Sequence, residues 1–303
     1  MSLAVLFPGQ GTQHPGMLRW LDGANPRAVQ PLVDALGADW RSRVADAEWA
    51  QRNDVAQPLI TGLCIAAWHA LAGLLPRPAV VAGYSVGELA AFHAAGVFAA
   101  QDAMALARRR AELMDESAGK VATGLMALAG APCELVRRLC DEYDVTLAIQ
   151  FARDHVVLGG AKVALARAAA ESERAGATVT QLNLTIASHT PWMFAAVKPF
   201  ADLLETVTFE RPRFPLVTDN QARVLWDAQD LRRAISAQLA TTIRWDECMT
   251  EVAERGTSCV LEIGPGTTLS RLWNARYPAV PARSVDEFTK PVAIARWVTD
   301  VLA

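Results

Sequence analysis

A chain of 303 residues that is 52% hydrophobic and 20% charged can bury a large core, which excludes a disordered protein. A net charge of −3 leaves no basic footprint for nucleic acid. The cysteines (Cys64, Cys133, Cys140, Cys248, Cys259) show no C-x-x-C spacing and read as reduced thiols, not as a disulfide framework or a zinc site.

The opening Met-Ser-Leu-Ala-Val-Leu-Phe-Pro lacks a basic n-region and breaks at Pro8, so it does not read as a signal peptide. Residues 3–7 predict a buried strand that runs into Pro8-Gly9-Gln10-Gly11-Thr12-Gln13. Such a loop directly after a strand suits backbone donors at a ligand, or is a plain βα turn. It is neither a dinucleotide fingerprint nor a phosphate loop. Residues 26–56 are mixed and polar, with helical stretches whose bounds the pattern does not give. Ala56–Leu75 predicts a long apolar helix ending at Pro76. Thr61, Gly62 and His69 interrupt it, and it is short for a membrane span. The expectation is a soluble, cytoplasmic protein without a membrane segment.

Val80 and Val81 predict a short strand stopping at Gly83-Tyr84-Ser85-Val86-Gly87, after which Glu88, Leu89, Ala90 and Ala91 favour a helix. Strand, tight turn and helix with serine at the apex is the nucleophile-elbow pattern, with the serine beside the first N–H groups of a helix. A bare G-x-S-x-G arises by chance in roughly one chain of this length in ten; the flanking strand and helix make the signal specific. Residues 101–118 predict an amphipathic helix with Ala103, Leu106, Ala107, Arg110, Ala111 and Met114 on one face.

From Val121 the texture changes. Strands are expected at Leu125–Leu128, Val145–Gln150, His155–Leu158 and Thr178–Leu184, with helices at Pro132–Glu142 and Lys162–Ala175. This β-α-β-β-α-β order predicts a ferredoxin-like subdomain over residues 121–186. Thr190-Pro191 signals a helix start, which puts His189 in the loop before it. Further on, Phe214–Thr218 and Cys259–Ile263 predict strands and Asp230–Leu239 a helix.

A seryl nucleophile needs a base. His69 reads as a core histidine, His93 points away from the elbow, and His14 and His155 sit in polar loops. His189, ahead of a helix on a late element, is the best-placed candidate. An α/β-hydrolase would order its triad Ser…Asp/Glu…His with the histidine near the chain end. Here residues 190–303 still follow, which disfavours a lipase or esterase. Arg110 lies on an apolar helix face and needs an anionic partner there. That partner is either an internal Glu or Asp, or a substrate carboxylate gripped by the guanidinium fork.

In order along the chain, Phe7-Pro-Gly-Gln-Gly-Thr-Gln13, Gly83-Tyr-Ser-Val-Gly-Glu88, Arg110-Ala-Glu-Leu-Met114, Ser188-His189, Gln238-Leu239 ahead of Arg244-Trp245, and Glu262-Ile-Gly-Pro-Gly266 resemble the malonyl-CoA:acyl-carrier-protein transacylases and the related acyltransferase domains of polyketide synthases. The resemblance covers essentially the whole chain. It implies an α/β-hydrolase-like core with a parallel sheet (1–120 and 187–303) plus the inserted ferredoxin-like subdomain (121–186). It implies Ser85 as nucleophile, His189 as base, the Gln238 carbonyl orienting that histidine, backbone N–H groups of Gln10 and Val86 as oxyanion hole, and Arg110 binding the malonyl carboxylate. No permanently bound cofactor or metal is implied; malonyl-CoA would be the donor and the phosphopantetheine-type arm of an acyl carrier protein the acceptor. Three departures stand out: Tyr84 where the transacylases usually have histidine, Gln150-Phe-Ala-Arg-Asp154 where they usually have Asn-x-Asn-Ser-Pro, and Ala111 in place of glycine. Tyr84 makes the elbow look more like the transacylase (epsilon) subunit of malonate decarboxylase, whose partner is that enzyme's carrier subunit. The fatty-acid-synthesis transacylase is the alternative, followed by a serine thioesterase or esterase, and a non-catalytic carrier-docking protein is the rival outside enzymes. Arg137, Arg138, Arg232 and Arg233 are candidates for a basic rim toward an acidic carrier, although solvated surface charge is their ordinary reading.

Overall fold

The computed structural model describes residues 1–23, 26–119 and 121–303; Lys120, at the expected edge of the core segment, lies outside the described residues. Its strands are β1 (Ser2–Phe7), β2 (Val80–Gly83), β3 (Thr123–Ala129), β4 (Thr146–Ala152), β5 (His155–Ala161), β6 (Thr178–Gln181), β7 (Leu216–Thr218), β8 (Arg223–Leu225), β9 (Ile243–Arg244), β10 (Thr257–Glu262) and β11 (Ala282–Ser284). The α-helices are α1 (Pro26–Leu36), α2 (Trp40–Arg43), α3 (Ala47–Gln51), α4 (Asn53–Leu71), α5 (Gly87–Ala94), α6 (Ala100–Ser117), α7 (Cys133–Tyr143), α8 (Lys162–Arg174), α9 (Phe194–Glu205), α10 (Ala228–Ala237), α11 (Trp245–Glu254), α12 (Thr268–Arg276) and α13 (Pro291–Leu302).

The larger sheet has the order β11-β10-β1-β2-β7-β8. Its central strand β1 is a continuous apolar run because both faces are covered. Leu3, Val5 and Phe7 enter the core beneath α4, α5, α6 and α13, while Ala4 and Leu6 enter a second core with Trp245, Met249, Leu269 and Trp273. That alternation is the two-residue period of a strand. All pairings are parallel except the last: β8 runs antiparallel to β7. The sheet is parallel as expected apart from this edge strand. Residues 219–222 are too few for a crossover, and Ala222 turns the chain back with φ 52°.

The smaller sheet has the order β6-β3-β5-β4-β9. Strands β3 to β6 and helices α7 and α8 follow the β-α-β-β-α-β order, and the helices cover Met126, Leu128, Val156 and Leu158 on one face. The opposite face, with Leu125, Ile149 and Val157, packs into the core beside the larger sheet. One strand falls outside the expected insert: β9 comes from the late part of the chain and pairs parallel with β4.

Two boundaries differ in ways that matter to the site. Strand β6 ends at Gln181, not at Leu184, which frees Leu182 and Leu184 to line a cavity. The helix expected to reach Leu239 ends as α10 at Ala237 and tightens into a 3-10 turn, Gln238–Ala240. Its start is fixed by Asp227, whose carboxylate accepts the N–H groups of Gln229 and Asp230. Among the described residues no helix is long and apolar enough to cross a membrane.

Candidate active site

Strand β2 delivers Ser85 to the carboxyl end of the larger sheet, and α5 leaves immediately after it. Ser85 has φ 54°, a left-handed conformation that costs a non-glycine residue about 1–3 kcal/mol. The surroundings hold it there. A Cβ on Gly87 would lie 2.6 Å from the carbonyl oxygen of Pro8, so the helix can cross the β1 loop closely only with glycine at that position. The Ser85 N–H donates to Asp219 Oδ2 at 2.7 Å.

The hydroxyl Oγ of Ser85 lies 2.8 Å from His189 Nε2. His189 is itself left-handed at φ 61° and directly precedes Thr190, whose side chain caps the 3-10 turn Pro191–Met193. The other ring nitrogen, Nδ1, donates to the carbonyl of Gln238 at 2.8 Å, and the His189 N–H donates to Leu239 O at 2.9 Å. A carbonyl can only accept, so the network assigns the proton to Nδ1 and leaves Nε2 to receive one from serine. Burial, and then the Arg110 charge, pushes the imidazole down to about 3 despite the bond to Gln238, so it is neutral near neutral pH.

Arg110, on α6, is 2% exposed. Its Nη1 donates to Gln57 Oε1 at 2.8 Å, and its Nη2 donates to Gln238 Oε1 at 2.7 Å and approaches Ser85 Oγ at 3.5 Å. Of the two partners open from sequence, a direct ion pair with an internal acid is not what holds it: among the described residues no carboxylate comes within 4.0 Å, and two neutral amides take its protons. Burial lowers its pKa to about 10, with Asp219 and then Glu88 opposing, so it remains a cation near neutral pH. Neutral acceptors orient a guanidinium without cancelling its charge, which leaves that charge for an incoming anion.

A cavity of about 80 Å³ reaches this group and is lined by Gln10, Ser85, Arg110, Met114, Ile149 and His189. Beside it lies a cavity of about 400 Å³, lined by Gly11, Tyr84, Phe151, His155, Leu182 and Leu272. The two share Gln10, Tyr84, Leu182 and Leu184. The Gln10 side chain is held by Asn53 Oδ1 at 3.0 Å. Among the described residues neither the Gln10 N–H nor the Val86 N–H has a protein acceptor. The Tyr84 ring packs against Phe151 and Trp245, with centroids 5.7 and 5.4 Å away. Chemically, the arrangement can deprotonate a seryl hydroxyl, hold a small anionic acyl group and admit a longer, largely apolar arm.

Sequence reasoning missed Gln57, Glu88 and Asp219. Glu88 and Asp219 are buried behind the elbow, and burial first, then their mutual charge, raises Glu88, while burial raises Asp219 to about 7. A usable signal existed: an acid directly after β7, at the carboxyl end of a strand beside β2, sits where open α/β sheets place functional groups. The other histidines lie elsewhere. His14 meets Asp286 at 2.7 Å, and His155 begins β5 at the wall of the larger cavity. His69, expected in the core, is exposed and shares a 2.8 Å contact with His93, because it lies on the outward face of the last turn of α4, opposite the buried Trp68 and Leu71. Gln150 donates to Asp246 at 3.1 Å rather than into the cavity. Arg137, Arg138 and Arg233 pair with Glu134, Glu171 and Asp230, and Arg232 lies over the Phe209 ring; none lines either cavity. Among the described residues no group of three or more His, Cys, Asp or Glu side chains is arranged to hold a metal.

Residues 5–287 match the family model described as acyl transferase domain. A malonyl CoA-acyl carrier protein transacylase of Mycobacterium bovis is 33% identical over 291 residues, covering 93% of this chain and 96% of that protein. The crystal structure of FabD from Acinetobacter baumannii superposes with a TM-score of 0.92 at 29% identity, over 100% of this chain and 99% of that one. A malonyl-transacylase in complex with its type II polyketide acyl-carrier protein gives a TM-score of 0.91 at 29% identity, over 97% and 99% of the two chains.

Proposed function

The chain belongs to the acyl transferase domain family, and from that premise we propose that it moves malonyl from malonyl-CoA to the thiol of an acyl carrier protein's prosthetic arm, by way of a malonyl ester on Ser85. The observation that carries this reading is the meeting of three groups: Ser85 Oγ is 2.8 Å from a neutral imidazole and 3.5 Å from a buried guanidinium. Nucleophile and base alone would fit any serine acyl chemistry; the guanidinium selects an acyl group that ends in a carboxylate.

Ser85 Oγ attacks the thioester carbonyl carbon while its proton passes to His189 Nε2. The oxyanion is taken up by the Gln10 N–H of the loop after β1 and the Val86 N–H at the start of α5. Collapse breaks the C–S bond, and His189 returns the proton to the departing CoA thiolate. The acceptor thiol then enters through the larger cavity, gives its proton to His189 and attacks the ester, and Ser85 leaves with that proton. Between the two halves the carboxylate of the ester rests on Arg110, and a cavity of about 80 Å³ filled by the acyl group leaves little room for water. The division into a core of residues 1–120 and 187–303 and an insert of 121–186 belongs to the same reading, with the arm entering between them.

The relatives and structural neighbours carry the malonyl transacylase name, and so the order of the two pathway readings drawn from sequence is reversed. Transfer to an acyl carrier protein of the fatty-acid or polyketide type comes first. The malonate decarboxylase subunit is kept second on the strength of Tyr84 alone, an aromatic wall where histidine is usual. The test has two parts. Incubation with malonyl-CoA and no acceptor is expected to add one malonyl group, located on Ser85 by mass spectrometry, and then stop; steady release of malonate would mark a hydrolase instead. Offering phosphopantetheine-armed and dephospho-CoA-armed carriers side by side then assigns the acceptor by relative transfer rate.

A further inference from the structure

Glu88 and Asp219 lie directly behind Ser85 and line neither cavity. They are 1% and 0% exposed, and Gln238 beside them is 0% exposed. The Asp219 N–H donates to Glu88 Oε1 at 2.7 Å, tying the end of β7 to α5. The side-chain NH₂ of Gln238 faces Glu88 Oε2 at 2.7 Å, both Asp219 oxygens at 3.2 Å and Ser85 O at 3.1 Å. Four acceptors compete for two hydrogens, so this amide has one possible orientation: a flip would set its oxygen against all four. Held that way, Gln238 has its side-chain oxygen free for Arg110 and its main-chain oxygen free for His189.

We infer that Glu88 and Asp219 are positioning residues for acyl transfer, fixing His189 and Arg110 through Gln238 and fixing the elbow through the Ser85 N–H. This rests on the acyl-transfer reading of the same site. The pair also sets the charge behind it. Two carboxyl groups this close and this buried do not both ionise readily, so they share one proton. The other titratable groups facing them are Arg110 from α6, the Tyr84 phenol and the Cys248 thiol of α11. Burial pushes the phenol and the thiol up, so both stay neutral, and the Arg110 guanidinium, which touches neither carboxylate, feels the pair's charge only through space. Loss of the second proton would add one negative charge behind the seat of the substrate carboxylate.

Single-turnover acylation of the wild type, Asp219→Asn and Glu88→Gln by malonyl-CoA and by acetyl-CoA, measured from pH 6 to 9, tests this. In the wild type, KM for malonyl-CoA is expected to rise with pH as the pair loses its second proton, with no such rise for acetyl-CoA. Asp219→Asn removes one carboxyl and the like charge that raises Glu88, so the alkaline rise should disappear. Either variant also sets an NH₂ against the NH₂ of Gln238, and kcat is expected to fall about tenfold or more. A folded variant with wild-type kcat and a wild-type alkaline rise overturns the inference while leaving acyl transfer intact. A wild type that takes no malonyl on Ser85 overturns both. Should neither variant fold, the wild-type profile decides: an alkaline rise for malonyl-CoA alone supports the pair, and its absence, or an equal rise for acetyl-CoA, overturns it.

Discussion

Replacing Arg110 by alanine removes a side chain that is 2% exposed and hydrogen-bonded to two glutamines, so both the binding and the folding consequences can be reasoned from its neighbours. In the acyl complex the malonyl carboxylate would accept from the buried guanidinium. Removing one partner of a buried ion pair costs about 3–5 kcal/mol, because the remaining charge is left unpaired. That corresponds to a loss of about a hundredfold to a few thousandfold in kcat/KM for malonyl-CoA. Acetyl-CoA brings no second carboxylate and should lose only what looser glutamines cost in positioning; Gln57 Oε1 and Gln238 Oε1, each left without a donor, cost about 1–3 kcal/mol of stability apiece if they find no water, whichever substrate is offered. The ratio of the two rates, rather than either alone, therefore carries the argument, and it should fall at least about tenfold. Arg110→Lys, a point charge that cannot bridge two amides, should land between. Stopped-flow detection of released CoA thiol gives both rates, with thermal unfolding run alongside. A malonyl-to-acetyl ratio unchanged in a folded Arg110→Ala protein would refute the carboxylate role.

Three further outcomes follow from the geometry. Gly87→Ala should destabilise the fold by about 1–3 kcal/mol or more, seen as a lower urea midpoint, since the new methyl meets main-chain oxygen of the β1 loop rather than a side chain that can yield. Because His189 is held neutral to about 3 in the folded state against 6.5 for the free imidazole, the unfolded chain binds more protons between those values. Stability should therefore fall as pH drops through that window, His189→Gln should lessen the fall, and acylation by the wild type should show no acid limb from this group near pH 6. Glu262 behaves oppositely: burial raises it from 4.5 to about 7 even though it accepts the Leu269 and Ser270 N–H groups, so its contribution is full below 4.5 and lost as pH rises through 7. Glu262→Gln should flatten the stability profile between about pH 5 and 8, as read by chemical denaturation.

What could be read in the sequence was what the chain states locally. The elbow is legible because strand, glycine and helix signals crowd around Ser85, and the apolar face of α6 exposes Arg110 as an anomaly. The order of elements in the smaller sheet is legible because each strand and helix has its own period. Partnerships across the chain were not: Glu88 and Asp219 are 131 positions apart, and nothing in the pattern around either says that a main-chain N–H of one reaches the carboxylate of the other. Gln238 was singled out through the resemblance for its carbonyl alone, while its side chain turns out to touch Arg110, Glu88 and Asp219 as well. Strands β8 and β9, three residues and two residues long, carry too little alternation to announce themselves. His69 misled because an apolar helix gives no sign of which turn reaches the surface.

The two-residue strand β9 bears on whether this protein can be taken apart. It is contributed by residues 243–244 yet completes the edge of a sheet otherwise made from residues 123–181. Cut out along its apparent seams, the smaller unit would present the open flank of β4 and the apolar side chains Leu125, Ile149 and Val157 to water, an invitation to sticky self-association. Grafts between relatives that exchange the insert alone would join a foreign β4 to a resident β9 and disturb the turn that carries Gln238, only a few positions upstream. Exchangeable modules in this fold should therefore be designed with the segment around residues 238–244 travelling together with the insert.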